Sequence, residues 1–404
     1  MINGFDIVIV GLQPWDIAIG SNCKNIAMEF AKMNRVLYVN PPLDRNTYHK
    51  GKGESLVRFR KDVIRGKEEG LVKISDNLWN LYPNTIAESI NWINNKSIFN
   101  WFNKMNNRRL ADNIKSAMKQ IGMKHFILFN DQSMIRCYHL QEFLLPDLFV
   151  YYIRDNLKTI EYFKKHALEL QERLISKADV VATNSEYLAS YAREFNPSSS
   201  FVGQGCDFSL YKSPEKLPVA GELLHLSRPI IGYTGFLTSV RLDIKLLEFI
   251  AIQKPDWQIV LVGPEDDDFK SSSLHEMRNV HFLGNKSPDS LPGFINGFDV
   301  AINPQLVNEV TMGNYPRKID EYLAMGKPVV ATYTPFMDYF KDYTYLADTH
   351  IRFKELIAVA IKENTPFLEK QRRDFAFTHT WEANVATISN LIEQKLDINV
   401  EKPA

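Results

Sequence analysis

The stretch NYPRKIDEYLAMGKPVVAT, residues 314–332, carries a cation and a carboxylate at a spacing that could do chemistry. Pro316 suits the first turn of a helix, where its missing N–H would have had no partner. One helical turn then separates Lys318 from Glu321, so both side chains lie on one face. An ordinary surface ion pair at this spacing contributes only about 0.2–0.5 kcal/mol.

The position of this pair favours a functional interpretation over a surface ion pair. The helix follows the strand-and-loop run DVAINPQLVNEVTMGNYP, which places its start at the carboxyl edge of a predicted sheet. A carboxylate there can accept hydrogen bonds from both hydroxyls of a ribose, while the ammonium or the helix N-terminus meets a phosphate. The pattern therefore predicts nucleotide binding.

Two further loops follow predicted strands. GYTGFLTSVRLD (232–243) combines Gly235 with Arg241 near a helix start, so amides and a guanidinium could hold a phosphate together, although a glycine turn also has purely steric uses. GLQPWDIAIGSN (11–22) lacks the G-x-G-x-x-G spacing of a dinucleotide fingerprint, and a structural loop is as good an interpretation as a binding loop.

The acidic run VGPEDDD (262–268) could be a metal site, because paired carboxylates bind hard divalent cations. A solvated acidic loop explains the run better, since no other ligand stands at a telling spacing. We expect no metal requirement and no other cofactor.

Composition narrows the classes of protein. The 404 residues contain 48 Lys plus Arg and 48 Asp plus Glu, so overall charge gives no reason to bind nucleic acid. Three widely spaced cysteines argue against a disulfide framework and favour a reducing cytosol. No basic leader precedes the first strand, and no apolar run reaches the roughly 18 residues of a membrane span.

Short buried runs alternate with helical patterns along the chain, which predicts an α/β protein with two Rossmann-like domains. The strands are expected in the runs FDIVIVG (5–11), RVLYVNPP (35–42), KHFILFN (124–130), LFVYYI (148–153), DVVATN (179–184), PIIGYTG (229–235), WQIVLVG (257–263), NVHFLG (279–284), DVAINP (299–304) and KPVVAT (327–332). A polar, proline-containing linker at 211–229 divides the two sets. The predicted domains are 1–212, completed by a C-terminal helix in 381–404, and 213–380.

A set of motifs in this order resembles the GT-B glycosyltransferases, specifically the glycosyl transferases group 1 and their teichuronic-acid-type and xanthan-type glucuronosyltransferases. The motifs that carry the resemblance are PWD (14–16), RVLYVNPP, YYIRDN (151–156), KADVVATNSEYL (177–188), GYTGFL (232–237), LVGP (261–264), NVHFLG, LPGFINGFDVAINP (291–304) and PRKIDEYLAMGKPVVAT.

The resemblance implies a GT-B architecture: two Rossmann-like domains facing across a cleft, with the C-terminal helix packing back on the N-terminal domain. A nucleotide-sugar donor would be held by the C-terminal domain and an acceptor by the N-terminal one. On the donor side the matching positions are Gly235, Phe236, Arg241, Gly263, Lys318 and Glu321, with Glu321 on the ribose and Lys318 and Arg241 on the diphosphate. On the acceptor side they are Asp16, Gly20 and Ser21.

Asp155, at the end of a predicted strand in YYIRDN, matches the carboxylate that some inverting relatives use as general base. Its alternative role is a helix N-cap, which Asp favours. Many retaining members carry two glutamates eight positions apart, but Gly313 stands eight positions before Glu321. This departure favours the inverting branch and leaves the stereochemistry open.

The segment 90–110 contains Trp92, Phe99, Trp101 and Phe102 together with four cations and no acidic residue until Asp112. Aromatic side chains with cations are typical of a helix on a lipid surface, and an ordinary amphipathic helix is the alternative. The basic run RFRKDVIRGK (58–67) adds positive charge that would favour anionic headgroups. We therefore hypothesise that the acceptor is linked to a polyprenyl diphosphate and that the protein lies at the inner face of the cytoplasmic membrane.

The resulting hypothesis is a hexosyl- or glycuronosyltransferase of cell-surface polysaccharide biosynthesis, acting on a glycan or lipid-linked acceptor. The alternatives are a nucleotide-sugar epimerase of the GT-B type and a non-catalytic nucleotide-sugar-binding protein. A nicotinamide-dependent dehydrogenase is disfavoured by the missing fingerprint.

Overall fold

The computed structural model describes residues 1–17, 20–51, 55–212 and 217–400, and it divides into two compact units. The first unit is formed by Met1–Gly203 and Trp381–Ala404, and the second by Gln204–Thr380. The chain leaves the first unit before residue 212, where the sequence predicts the domain boundary. Part of the predicted linker, 213–216, lies outside the described residues.

The first unit is built on ten strands: β1 (Asp6–Gly11), β2 (Arg35–Val39), β3 (Leu43–Asp44), β4 (Leu71–Ser75), β5 (Leu78–Leu81), β6 (Ile86–Ala87), β7 (Ile127–Asp131), β8 (Leu148–Ile153), β9 (Val180–Thr183) and β10 (Ser199–Phe201). Eight of them form one sheet in the order β10-β9-β8-β7-β1-β2-β5-β4, in which β4 alone runs antiparallel. The central strands are buried from end to end, as expected for a parallel sheet covered on both faces.

Helices cover both faces of this sheet. They are α1 (Asn22–Phe30), α2 (Arg45–Lys50), α3 (Ser55–Ile64), α4 (Lys96–Ile121), α5 (Leu140–Leu144), α6 (Glu161–Lys164), α7 (Ala167–Lys177), α8 (Glu186–Arg193) and the last helix of the chain, α15 (Trp381–Val400). Trp381, Val385, Ile388 and Ile392 of α15 are buried in the core that α1 and the central strands share. The predicted return of the C-terminal helix to the N-terminal domain is confirmed.

In its described residues, 204–212 and 217–380, the second unit has six strands and six α-helices. The strands are β11 (Ile230–Thr234), β12 (Gln258–Val262), β13 (Val280–Gly284), β14 (Val300–Asn303), β15 (Val329–Thr332) and β16 (Tyr345–Ala347). The helices are α9 (Ile244–Gln253), α10 (Asp267–Lys270), α11 (Leu291–Gly297), α12 (Arg317–Ala324), α13 (His350–Glu363) and α14 (Pro366–Ala376).

All six strands of the second unit are parallel, in the order β13-β12-β11-β14-β15-β16. The order reverses between β11 and β14, as in the doubly wound dinucleotide-binding fold. Ligands in such folds bind beyond the carboxyl ends of the strands at this reversal. In the first unit the corresponding reversal lies between β1 and β7.

Candidate active site

Two glycines bring the ends of β11 and β12 into close contact. Gly235 and Gly263 have φ angles of +131° and +153°, which L side chains rarely adopt. The amide of Gly235 donates to the carbonyl of Val262 at 2.8 Å. A Cβ at Gly263 would overlap the carbonyl oxygen of Gly235. The two strand ends therefore form a tight backbone turn beside β11, one of the two strands between which the strand order reverses.

Lys318 lies over this turn. A Cβ on Gly235 would be 3.2 Å from the Lys318 Nζ, and the same ammonium lies 5.1 Å from the centre of the Tyr233 ring. Burial lowers the pKa of Lys318, Tyr322 and Glu321 oppose this effect, and the neighbouring Arg241 lowers the pKa further. Two cations beside a glycine turn repel each other, so a ligand anion between them would relieve that repulsion.

Helix α12 is fixed to the end of β11 by a buried hydrogen bond. The Thr234 amide donates to the Tyr322 hydroxyl at 2.8 Å. The helix begins at Arg317, directly after Pro316, as the sequence predicts. One turn of helix separates Tyr322 from Lys318, so this bond also positions the ammonium over the glycine turn.

Glu321 is half-buried on the same helix, with 19% of its side chain exposed. Its carboxylate lies 3.4 Å from the Nε of Arg317, so the ion pair runs to the residue four positions back rather than to Lys318. Burial raises the pKa of Glu321, although Arg317 and Lys318 oppose this effect. A half-buried carboxylate that keeps spare lone pairs can accept hydrogen bonds from a polar ligand.

Phe236 and Arg241 follow the glycine turn and are exposed, Phe236 to 53%. The Arg241 backbone is held by hydrogen bonds with Thr238 and Leu306. The predicted donor-side residues thus belong to one region of the second unit, formed by the end of β11, the end of β12 and α12. Their roles in binding stay predictions.

The acidic loop is structured by its own carboxylates. Asp266 accepts hydrogen bonds from the amides of Ser239 and Phe269 and caps α10. The sequence pattern alone does not reveal this tie between the loops after β11 and β12.

Asp155 lies in the first unit directly after β8, with 46% of its side chain exposed. The side chain of Gln132 holds its backbone: Oε1 accepts from the Asp155 amide at 3.0 Å, and Nε2 donates to the Asp155 carbonyl at 2.7 Å. Gln132 adopts a positive φ of 52°, an uncommon conformation for a residue other than glycine. Asp155 is not the N-cap of the short helix that follows, since Asn156 holds that position, and its role as a proton acceptor stays a prediction.

Sequence reasoning missed the buried pair behind Asp155. Arg154 Nε lies 3.1 Å from the carboxylate of Asp131, and Arg154 Nη1 lies 3.8 Å from that of Asp155. Burial raises the pKa of Asp131, while Arg154 opposes this. The sequence signal that could have identified Asp131 is the run KHFILFND, which ends a buried strand on a carboxylate. The carboxyl ends of such strands form the edge of the sheet where ligands bind.

The predicted acceptor-side residues have partners of their own. Asp16 forms an ion pair with Arg60 at 2.8 Å, and Tyr82 approaches it at 3.4 Å. Ser21 caps α1 by accepting from the Lys24 amide. Gly20 is exposed. These contacts give Asp16 and Ser21 structural roles, and their part in acceptor binding stays a prediction.

The aromatic side chains of segment 90–110 point in two directions. Helix α4 begins only at Lys96, and Phe99 is buried in the core. Trp92 and Trp101 are 74% and 63% exposed. Among the helices of the described ranges, we find none with the length and apolar character of a membrane span.

Comparison with known proteins agrees with this arrangement. Residues 228–348, which hold the glycine turn and α12, match the family "Glycosyl transferases group 1". Over 239 residues the chain is 27% identical to a Bacillus subtilis (strain 168) protein described as "Putative teichuronic acid biosynthesis glycosyltransferase TuaH". That match covers 56% of this chain and 60% of the relative, less than two thirds of its length.

Among solved structures, sucrose-phosphate synthase from Thermosynechococcus elongatus is similar with a TM-score of 0.66 and 14% identity, covering 98% of this chain and all of that one. Anabaena HepE, solved in complex with UDP, has a TM-score of 0.64 and 13% identity, covering 96% of this chain and all of that one. At these identities the likeness concerns the fold. The resemblance to GT-B proteins of the glycosyl transferases group 1 type is confirmed.

Proposed function

We propose that this chain is a glycosyltransferase that moves a sugar from a nucleoside diphosphate to a hydroxyl of a glycan or lipid-linked acceptor in cell-surface polysaccharide biosynthesis. The observation that carries the proposal is the grouping of Lys318, Glu321 and the Gly235–Gly263 turn where the strand order of the second unit reverses. Support comes from the group 1 match over these residues and from HepE, a fold neighbour solved with UDP.

In this proposal Glu321 accepts hydrogen bonds from the ribose hydroxyls of the donor. Lys318 and Arg241 contact the diphosphate, with the open backbone at Gly235 beside it and Phe236 along the turn. The cations and amides stabilise the charge that develops on the departing nucleoside diphosphate.

Asp155 is proposed as the general base of an inverting transfer. The acceptor hydroxyl oxygen forms a bond to the anomeric carbon, the bond from that carbon to the diphosphate oxygen breaks, and the hydroxyl proton passes to the Asp155 carboxylate. Arg154, tied to Asp131, is a positioning residue for this carboxylate. Inversion stays a proposal and is read from the anomeric configuration of the product.

Association with the inner face of the cytoplasmic membrane is also proposed. Ile98 and Trp101 lie one helical turn apart on α4 and are both exposed, followed at the next turn by the exposed Lys104. Apolar side chains with cations on one helix face are suited to an interface with anionic lipid.

A thermal-shift screen against the UDP, GDP, ADP and dTDP forms of common sugars tests donor binding. A ligand that binds the native state alone raises the melting temperature by mass action. We expect one nucleotide series to stabilise the protein, and transfer to an added acceptor to follow. Turnover of the donor to a different sugar without any acceptor would favour an epimerase, and no shift with any series would contradict the proposal.

A further inference from the structure

The first unit contains a cavity of about 480 Å³ that none of the predicted site residues lines. Leu12 lies directly after β1, and Ser133 and Met134 follow β7, so the cavity opens where the strand order of the first sheet reverses. Ligands of doubly wound sheets bind at this place. The cavity therefore occupies a position where the fold provides for a ligand.

Two amide side chains in the cavity wall have hydrogen-bonding atoms without partners in the described ranges of the chain. Asn103 is 1% exposed, and its Nδ2 donates to no protein acceptor. Asn91 uses its Nδ2 on the carbonyl of Tyr162 at 2.7 Å, while its buried Oδ1 accepts nothing. An unpaired buried polar atom costs about 1–3 kcal/mol. Both atoms are covered by neighbouring groups, so they make the wall polar but do not themselves face the cavity.

Among the described residues, the Arg136 guanidinium is a charged group of the cavity wall that is not paired. The Glu88 carboxylate forms ion pairs with Arg45 and Arg109. The guanidinium of Arg136, half-buried in the same wall, has no hydrogen-bond or ion-pair partner within the part of the chain that the structure describes. An arginine placed in this way is suited to hold a planar carboxylate or a phosphate.

The other carboxylate in the wall is Asp44. Thr47 and Ser89 donate to it at 3.0 and 3.2 Å. Burial disfavours its ionised form, but these hydrogen bonds lower the pKa of Asp44, with a smaller contribution from Arg136. Asp44 is therefore ionised and already accepts hydrogen bonds, and it forms no ion pair with the Arg136 guanidinium.

Aromatic rings stand at the mouth of the cavity. Trp92 is 74% exposed, yet its indole Nε1 donates to the Ser89 carbonyl at 2.7 Å, which fixes the ring. Tyr162, also in the wall, is 54% exposed. A fixed ring at an open pocket offers a flat apolar face that a sugar ring can cover.

From these contacts we infer that the cavity binds an anionic saccharide: a sugar that stacks on Trp92, lies against the polar wall at Asn91 and Asn103, and places a carboxylate or phosphate on Arg136. This inference rests on the proposed function and deepens it, since the bound saccharide is the acceptor.

Calorimetric titration of the full chain, without donor, tests the inference with three probes. A glucuronate-terminated disaccharide and glucose 1-phosphate carry the two anionic groups, and the disaccharide with glucose in place of glucuronate is the neutral comparison. Arg136→Gln is expected to weaken binding of the anionic probe about tenfold or more and that of the neutral probe less than threefold. Trp92→Ala should weaken both.

Matched controls are available outside the cavity. Arg108→Gln removes an exposed guanidinium of α4, and Phe367→Ala removes an exposed aromatic ring of α14; both should leave the affinities unchanged. Arg136→Lys keeps the charge and should bind the anionic probe more tightly than Arg136→Gln, which separates loss of charge from loss of fold. Binding of glucuronate or of the phosphate identifies which anion the site prefers.

The inference is overturned if the wild-type protein binds neither anionic probe, or if Arg136→Gln weakens binding of the neutral and anionic probes equally. It is also overturned if Arg108→Gln weakens anionic binding as much as Arg136→Gln does, or if Arg136→Lys binds the anionic probe no more tightly than Arg136→Gln. Titration with the nucleotide that stabilises the wild type in the thermal-shift screen keeps the two proposals apart. If that nucleotide binds normally while any of these results is found, only the saccharide cavity is rejected. If the wild-type protein binds no nucleotide at all, the proposed function is rejected.

Discussion

Glu321 and Asp155 are the two carboxylates on which the proposed chemistry depends, and their surroundings differ. Glu321 is half-buried beside Arg317, and burial raises its pKa. Asp155 is nearly half exposed beside Arg154. At the scale of single residues these surroundings fit the roles proposed above, donor binding for Glu321 and proton acceptance for Asp155, and both roles stay predictions.

Replacing Glu321 by Gln is expected to weaken nucleotide-sugar binding about tenfold or more, because a neutral amide accepts ribose hydroxyls less well than a carboxylate. Since the pKa of Glu321 is raised, its carboxylate takes up a proton at a higher pH than an ordinary glutamate on acidification. Donor affinity should therefore fall as pH decreases through this raised pKa, and Glu321→Gln should remove that dependence. Titration calorimetry across the acidic range measures both effects.

The control for Glu321 is Glu355→Gln, which changes an exposed glutamate of α13 in the same unit. It should leave affinity and pH dependence as in the wild type. Equal donor affinity in Glu321→Gln and wild type would show that this carboxylate does not bind the donor.

Asp155→Asn is expected to reduce turnover by at least about a hundredfold while donor affinity stays within twofold, since general base catalysis contributes about 10²–10⁴-fold. Single-turnover assays with saturating donor, combined with UDP titration, separate the two quantities. Asp147→Asn, an exposed aspartate of the same unit, is the matched control. Wild-type rates in Asp155→Asn would exclude this residue as the base.

Helix α12 is the element that joins the donor-side residues, and buried polar contacts fix it on two sides. Tyr322 bonds the end of β11, while Asp320, fully buried, lies 2.7 Å from the Nδ1 of His379. The Nε2 of His379 lies 2.9 Å from the Tyr339 hydroxyl. These bonds hold the helix in the one rotation that presents Lys318 and Glu321 together.

Asp320→Ala should lower the free energy of unfolding of the second unit by about 2–3 kcal/mol, because it leaves a buried His379 nitrogen without its acceptor. Donor affinity should fall as well, since α12 loses a contact that orients it. Urea denaturation and UDP titration measure the two effects. Asp256→Asn, an exposed aspartate of the same unit, should change neither, and full stability of Asp320→Ala would show that the pair does not hold the helix.

At the scale of the whole molecule, each unit has its own sheet, and the first one is completed by α15 from the far end of the chain. The first unit also carries the exposed face of α4 that we propose for membrane contact. This face is separate from the core, because Phe99 of the same helix is buried while Ile98 and Trp101 are exposed.

The double substitution Ile98→Ser with Trp101→Ser should reduce sedimentation with anionic vesicles severalfold, since it removes the two apolar side chains that would enter the headgroup region. Vesicles of phosphatidylglycerol and phosphatidylcholine, compared at low and high salt, measure the binding. Leu145→Ser, which removes the 78% exposed leucine after α5, is the control. Unchanged sedimentation of the double variant would end the membrane hypothesis.

The sequence by itself determined the two sets of alternating strands and helices, because each buried strand is a short apolar run and each helix has its own periodicity. It also predicted the start of α12 after Pro316, since a proline at the first turn is a local signal. The exceptions are elements without a local signal, such as the antiparallel strand β4 at the sheet edge, with half-exposed and exposed residues throughout.

Only the tertiary structure decided which partners the site residues have. Spacing paired Lys318 with Glu321, but packing placed Lys318 over Gly235 and Glu321 beside Arg317. Asp131 and Arg154 meet because neighbouring strands end together. Arg136 has no hydrogen-bond or ion-pair partner among the described residues, because distant segments close around one cavity and bring it no carboxylate. Such contacts join residues far apart in the chain, and no local pattern carries information about them.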